Sequence, residues 1–105
     1  MVNVKVQKRS EEILDIVISG HADSTGAEMM DLVCAEVSAV SVGALNSIDL
    51  QCPDTCILEM DKGYVHIKVL RSNTVLQAIL KTICIQLDTI AFTNSQYVRL
   101  EKVEV

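Results

Sequence analysis

The chain has no tryptophan and only three aromatic residues, two Tyr and one Phe, among 105 positions. A core of stacked rings is excluded. The half of the chain that is hydrophobic must pack through Val, Ile, Leu and Ala. Proline occurs once, and there is no linker, repeat or low-complexity tract. The chain therefore reads as a single domain over residues 1–105, with no room for a second core. An excess of basic residues is also missing. Nine Lys and Arg against 14 Asp and Glu give a net charge of -5. This speaks against nucleic acid as the main partner, because phosphate binding needs a basic face. No apolar run approaches the roughly 20 residues of a membrane span. The start, Met1-Val2-Asn3-Val4-Lys5, alternates like a strand and lacks the regions of a signal peptide. The expectation is a cytoplasmic protein with no membrane partner. In that compartment Cys34, Cys52, Cys56 and Cys84 are reduced thiols.

Val2, Val4 and Val6 alternate with polar residues, the period of a half-buried strand. A polar turn at 9–12 leads to a second β-branched run at 13–19, predicting a hairpin that ends at Gly20. Residues 21–30 read as a loop, with Asp23, Ser24, Thr25 and Gly26 in succession. A helix is predicted over 29–47. Its core stripe would be Val33, Val37, Val40, Ala44 and Ile48. Leu32, Ala35, Ala39, Val42 and Leu45 make other faces apolar too, as on a helix that touches both a sheet and a second helix or subunit.

Residues 46–54 read as a connection. Strands follow at 55–60 and 64–70 around Asp61-Lys62-Gly63, with Gly63 at the positive-φ position. Asn73 is a helix N-cap. Val75, Ile79, Ile83, Leu87 and Ile90, with Leu76 and Leu80, mark a helix to about residue 92. A last strand occupies 97–105. The order is ββαββαβ, an α+β two-layer sandwich with a mostly antiparallel sheet and two helices. Strand order does not follow from the pattern.

Within this frame the chemistry concentrates in two strings, Gly20-His21-Ala22 and the stretch from Asp31 to Ala39. His21 follows a strand end, and Cys34 lies in the first or second turn of a helix. A helix N-terminus and a neighbouring imidazole both favour the thiolate. His21 could take the thiol proton and return it to a leaving amine. N–H groups at the helix start could hold an oxyanion. At about 100° per residue, Asp31, Cys34 and Ser38 fall within about 60° of one another, mostly away from the core stripe. Asp31 could orient the imidazole or cap the helix, and Ser38 could hydrogen-bond in the site. Against this stands the ordinary reading of a lone helical cysteine as a small core residue.

Gly20-His21-Ala22-Asp23, a short polar loop, Asp31-Leu32-Val33-Cys34-Ala35 and Val37-Ser38-Ala39 together resemble the central motif of the bacterial ribosomal-processing cysteine proteases. Asn46-Ser47-Ile48 also fits. The element order covers the whole chain, while the specific residues lie between Gly20 and Ile48. The resemblance implies a cysteine endopeptidase that removes the N-terminal extension of a large-subunit ribosomal protein of the bL27 type. It makes His21 and Cys34 the dyad and Asp31 and Ser38 site-supporting positions. Gly20, Ala22, Asp23 and Gly26 belong to a substrate loop that closes as a lid. It also implies a homodimer, and a cut after an aromatic-rich stretch, hence an apolar groove beside Cys34. Where the family commonly carries Tyr-Gly before the Asp, this chain has Ala27-Glu28-Met29-Met30 in a loop one residue longer. The difference bears on substrate preference.

No metal site or cofactor is expected. Cys52-Pro53-Asp54-Thr55-Cys56 with His66 is a loose and incomplete ligand set for zinc. Cys84 reads as core and His66 as facing solvent. The alternative function is a non-catalytic, dimeric, ribosome-associated module that holds a peptide in the same groove.

Overall fold

A computed structural model describes residues 1–21 and 28–105, with the side chain of Glu28 outside the description. The elements are β1 (Val2–Arg9), β2 (Glu12–Ser19), α1 (Glu28–Gln51), β3 (Cys56–Asp61), β4 (Tyr64–Val69), α2 (Thr74–Thr93) and β5 (Val98–Glu104). They make the predicted α+β sandwich, with both helices on one face of a five-stranded sheet ordered β3-β4-β2-β1-β5. Three pairings are antiparallel; β5 lies parallel to β1, with Val2 opposite Val98.

The valines of β1 are all buried, and so are Ile13, Ile16 and Ile18 of β2. Alternation alone would send Ile13 and Ile16 to opposite faces. A bulge resolves this. Gln7 pairs with Asp15 and Lys8 with Ile13, which leaves Leu14 as the inserted residue. Gly63 closes the β3–β4 hairpin at φ +68, as the turn residues imply.

Helix α1 runs one turn further than the sequence suggests. Asn46 and Asp49 are polar but lie on the exposed side, while Ile48 and then Cys52 carry the buried stripe on. Pro53 stops it. At the other end, residues 28–30 are helix rather than loop. Val40 is only half-buried, and Ser41 sits inside the stripe with its hydroxyl donating to the Val37 carbonyl at 2.7 Å. Helix α2 is rotated relative to the predicted stripe. Leu76, Leu80, Ile83, Cys84 and Leu87 are buried, whereas Val75 is 53% exposed. Val75 and Ile79 instead line a groove of about 630 Å³ against Ala39, Val40 and Gly43 of α1. Asn73 caps α2, its side chain accepting from the Leu76 N–H at 2.8 Å.

By length and composition, residues 29–51 and 74–93 are each long and apolar enough to cross a membrane, contrary to the sequence reading. The two pack against each other, and each lays its buried stripe on the sheet.

Candidate active site

The site is built at one end of the sheet, where β2 leaves and α1 enters. After Ser19 the backbone turns at Gly20, with φ +85, a region costly for any residue with a Cβ. A Cβ at Gly20 would also overlap the carbonyl oxygen of Met1. The Gly20 N–H donates to the Gly63 carbonyl at 3.0 Å. The first residue of the chain, the end of β2 and the β3–β4 turn are thereby locked together.

His21 comes next and is buried, 8% exposed. Among the described residues its Nδ1 has no hydrogen-bond partner. Burial lowers its pKa from the ordinary imidazole value, because the charged form is poorly solvated there. The imidazole is therefore neutral at neutral pH and able to accept a proton.

Cys34 lies in the second turn of α1 and is also 8% exposed. Its thiol points at the Gly20 carbonyl, Sγ to O 4.0 Å. The thiol thus lies against the peptide that leads into His21. The sequence reading placed Cys34 mostly away from the core stripe. In the fold it belongs to the stripe, with Met30 and Val37. Asp31, one turn earlier, is exposed, and Ser38, one turn later, is half-buried. They rim the thiol rather than share its burial. Ala22, Asp23 and Gly26 lie outside the described residues.

Burial disfavours the thiolate at two of the remaining cysteines. Burial pushes the Cys84 thiol up to about 11. Cys56 is also raised, first by burial and then by the nearby Cys52, against a lowering contact from Thr55. None of the four cysteines forms a disulfide. His66 lies on the sheet face that the helices leave uncovered. Its Nε2 meets Asp15 Oδ1 at 2.6 Å, and its Nδ1 lies 3.6 Å from Glu59 Oε1. Among the described residues no group of His, Cys, Asp or Glu is arranged to hold a metal ion. Sequence reasoning missed Met1 and Gly63, which hold the corner. Their partners follow only from strand register.

A buried thiol against the peptide that precedes a buried imidazole is compatible with a cysteine peptidase. The comparisons with known proteins make the class specific. The family model for cysteine protease Prp matches residues 1–99, and the chain belongs to this family of ribosomal-processing cysteine proteases. The ribosomal processing cysteine protease Prp of Staphylococcus aureus is 33% identical over 104 residues, 95% of this chain and 97% of that protein. The S. aureus Prp structure with a substrate peptide has a TM-score of 0.87 at 30% identity, covering 97% of this chain and 99% of that one. The form with a covalently linked product peptide has a TM-score of 0.84 at 31% identity over the same shares. SMU.848 from Streptococcus mutans has a TM-score of 0.89 at 23% identity, over 100% of this chain and 96% of that chain. At that identity it supports the fold alone.

Two predictions follow from the corner. Gly20→Ala places a Cβ against Met1 at positive φ, and it should cost on the order of 2 kcal/mol of stability, read as a lowered urea midpoint. The second concerns pH. The unfolded chain protonates His21 near its ordinary value of about 6.5, while the folded chain resists protonation. Stability is therefore full above about that pH and falls as pH drops below it. Urea midpoints between about pH 7.5 and 5 should show a shallower acid decline in His21→Gln than in the parent.

Proposed function

We propose that this protein is a cytoplasmic cysteine endopeptidase that removes the N-terminal extension of a large-subunit ribosomal protein of the bL27 type, with Cys34 as nucleophile and His21 as base. The observation that carries the reading is the position of the Cys34 thiol, its Sγ 4.0 Å from the carbonyl of Gly20, the residue that precedes the buried His21. The substrate-peptide and product-peptide complexes of the S. aureus protein support a peptide as substrate here.

In this mechanism His21, held neutral by burial, takes the Cys34 proton as sulfur adds to the scissile carbonyl. The Cys34 N–H is committed within its helix, so the oxyanion is met by the uncommitted N–H groups of the first turn of α1. The Cys34 side chain leans toward that turn, as helical side chains do. His21 then gives its proton to the leaving amine, and a thioester remains on Cys34. Water, activated by His21, attacks the thioester carbonyl. The product leaves as a carboxylic acid and the thiol regains its proton.

Asp31, on the exposed rim, orients the imidazolium during the step that forms it. Ser38 hydrogen-bonds substrate at the opposite side of the thiol. Gly20, Ala22, Asp23 and Gly26 form the loop that closes on the substrate. The protein acts as a homodimer, and the exposed apolar side chains Leu50, Ile85 and Phe92 on the two helices support a second copy against the helix layer.

The test is cleavage of the precursor ribosomal protein by the parent chain and by Cys34→Ala, read by product mass. The parent should make one cut near the precursor's N-terminus. The variant, folded to the same urea midpoint, should lose at least about 10³-fold in rate. Cleavage by Cys34→Ala at the parental rate would remove Cys34 from the chemistry. Binding of the precursor without cleavage by either form would leave only a peptide-holding module.

A further inference from the structure

The end of the sheet remote from the Gly20 corner holds a second concentration of chemistry. Lys8 continues the alternation of Val2, Val4 and Val6 on β1 and pairs with the buried Ile13 of β2. Lys102 stands opposite Val6 in the parallel register of β5. Both lysines therefore rise from the helix-side face of the sheet. Helix α2 brings Lys81, Cys84, Ile85 and Asp88 to the same place, three and four residues apart along one flank. Together they enclose a cavity of about 220 Å³. At about 3.3 Å per residue, Lys8 lies roughly 20 Å along β1 from Met1, which packs at the Gly20 corner.

The floor of this cavity is apolar: Val6, Ile13 and Cys84 line it and are buried. Its rim is charged. The Lys102 Nζ lies 2.9 Å from Asp88 Oδ2, which pins the β5 wall to α2. Among the described residues no carboxylate pairs with Lys8 or Lys81. Burial pushes the Cys84 thiol up to about 11, with Lys102 pulling against it, Asp88 adding to the rise and Lys8 opposing it. Both ammonium groups thus act within electrostatic reach of the floor.

The charges decide what such a cavity takes. Lys8, Lys81 and Lys102 face the carboxylates of Glu11 and Asp88, which leaves a surplus of one positive charge on a chain whose net charge is -5. A monoanion cancels that surplus. Lysine acts as a point charge and does not select a planar shape, so the apolar floor must supply the rest of the recognition. The volume lies below the roughly 300 Å³ at which sites for drug-sized ligands begin, which also excludes an extended peptide.

The geometry points to a binding site for a small monocarboxylate with a short aliphatic body, its carboxylate between Lys8 and Lys81 and its body over Val6, Ile13 and Cys84. Inorganic phosphate, with no apolar part, would use the rim alone. Neither Cys34 nor His21 takes part in this site.

The test is a titration of the parent chain with hexanoate, followed by the methyl signals of Ile13 and Ile85 in carbon–proton correlation spectra. Both should shift saturably, with Kd on the order of 1 mM for a ligand of this size. Hexanamide, which keeps the body and loses the charge, and inorganic phosphate should each bind about 10-fold more weakly or worse. Lys8→Gln combined with Lys81→Gln should weaken hexanoate by about 10-fold at an unchanged urea midpoint. Raising salt from about 0.05 M to about 0.5 M should weaken it in the parent chain, a check that needs no variant. Hexanamide or phosphate binding as tightly as hexanoate would overturn the assignment, the first by removing the charge from recognition and the second by removing the floor. Parental affinity in the folded double variant, or no shift at Ile13 and Ile85 up to about 20 mM hexanoate, would overturn it as well.

Discussion

The peptide of Gly20 is the joint on which the site depends. Its N–H is held by the Gly63 carbonyl, its carbonyl receives the Cys34 thiol, and its Cα lies against Met1. These contacts tie the start of β1, the end of β2, the β3–β4 turn and the second turn of α1 to one point. The position tolerates no Cβ, because φ is positive and the space beside it is filled. The proposed catalytic pair thus takes part of its placement from backbone constraints. Backbone constraints of this kind hold a site to tighter tolerances than mobile side chains do.

Burial sets the chemistry of that pair. A neutral imidazole is favoured by the loss of water around it, which equips His21 to accept a proton. The same burial works against an imidazolium–thiolate pair in the resting protein. Cys34 lies in the second turn of α1, where the helix dipole has already weakened. In the proposed mechanism the proton moves from the Cys34 thiol to the imidazole as substrate arrives. Burial raises two of the other thiols, Cys84 to about 11 and Cys56 in the same direction.

Much of the fold was legible because its signals are local. The valines of β1, the Gly63 turn and the Asn73 cap each declare themselves within a few residues. The end of α1 was obscured because Asn46 and Asp49, on the exposed face, look like a boundary. The rotation of α2 was hidden because both of its flanks are apolar: one meets the sheet and the other meets α1. Strand order was beyond the sequence, since β5 joins β1 in parallel from the far end of the chain. For the site, the spacing of His21, Asp31, Cys34 and Ser38 pointed to a candidate constellation. It did not reveal that Cys34 is buried while Asp31 and Ser38 rim it, nor that Met1 and Gly63 hold the corner. Those relations depend on contacts between residues distant in sequence, which no periodicity encodes.

The most direct test of the central claim is to trap the covalent intermediate. The parent chain is mixed with the extension peptide, quenched in acid within one turnover, and its intact mass is measured, with the adduct mapped by proteolysis. The account predicts a thioester at Cys34 carrying the N-terminal fragment of the substrate, absent when His21 is replaced by Gln. Turnover with no adduct, or an adduct on Cys52, Cys56 or Cys84, would contradict it.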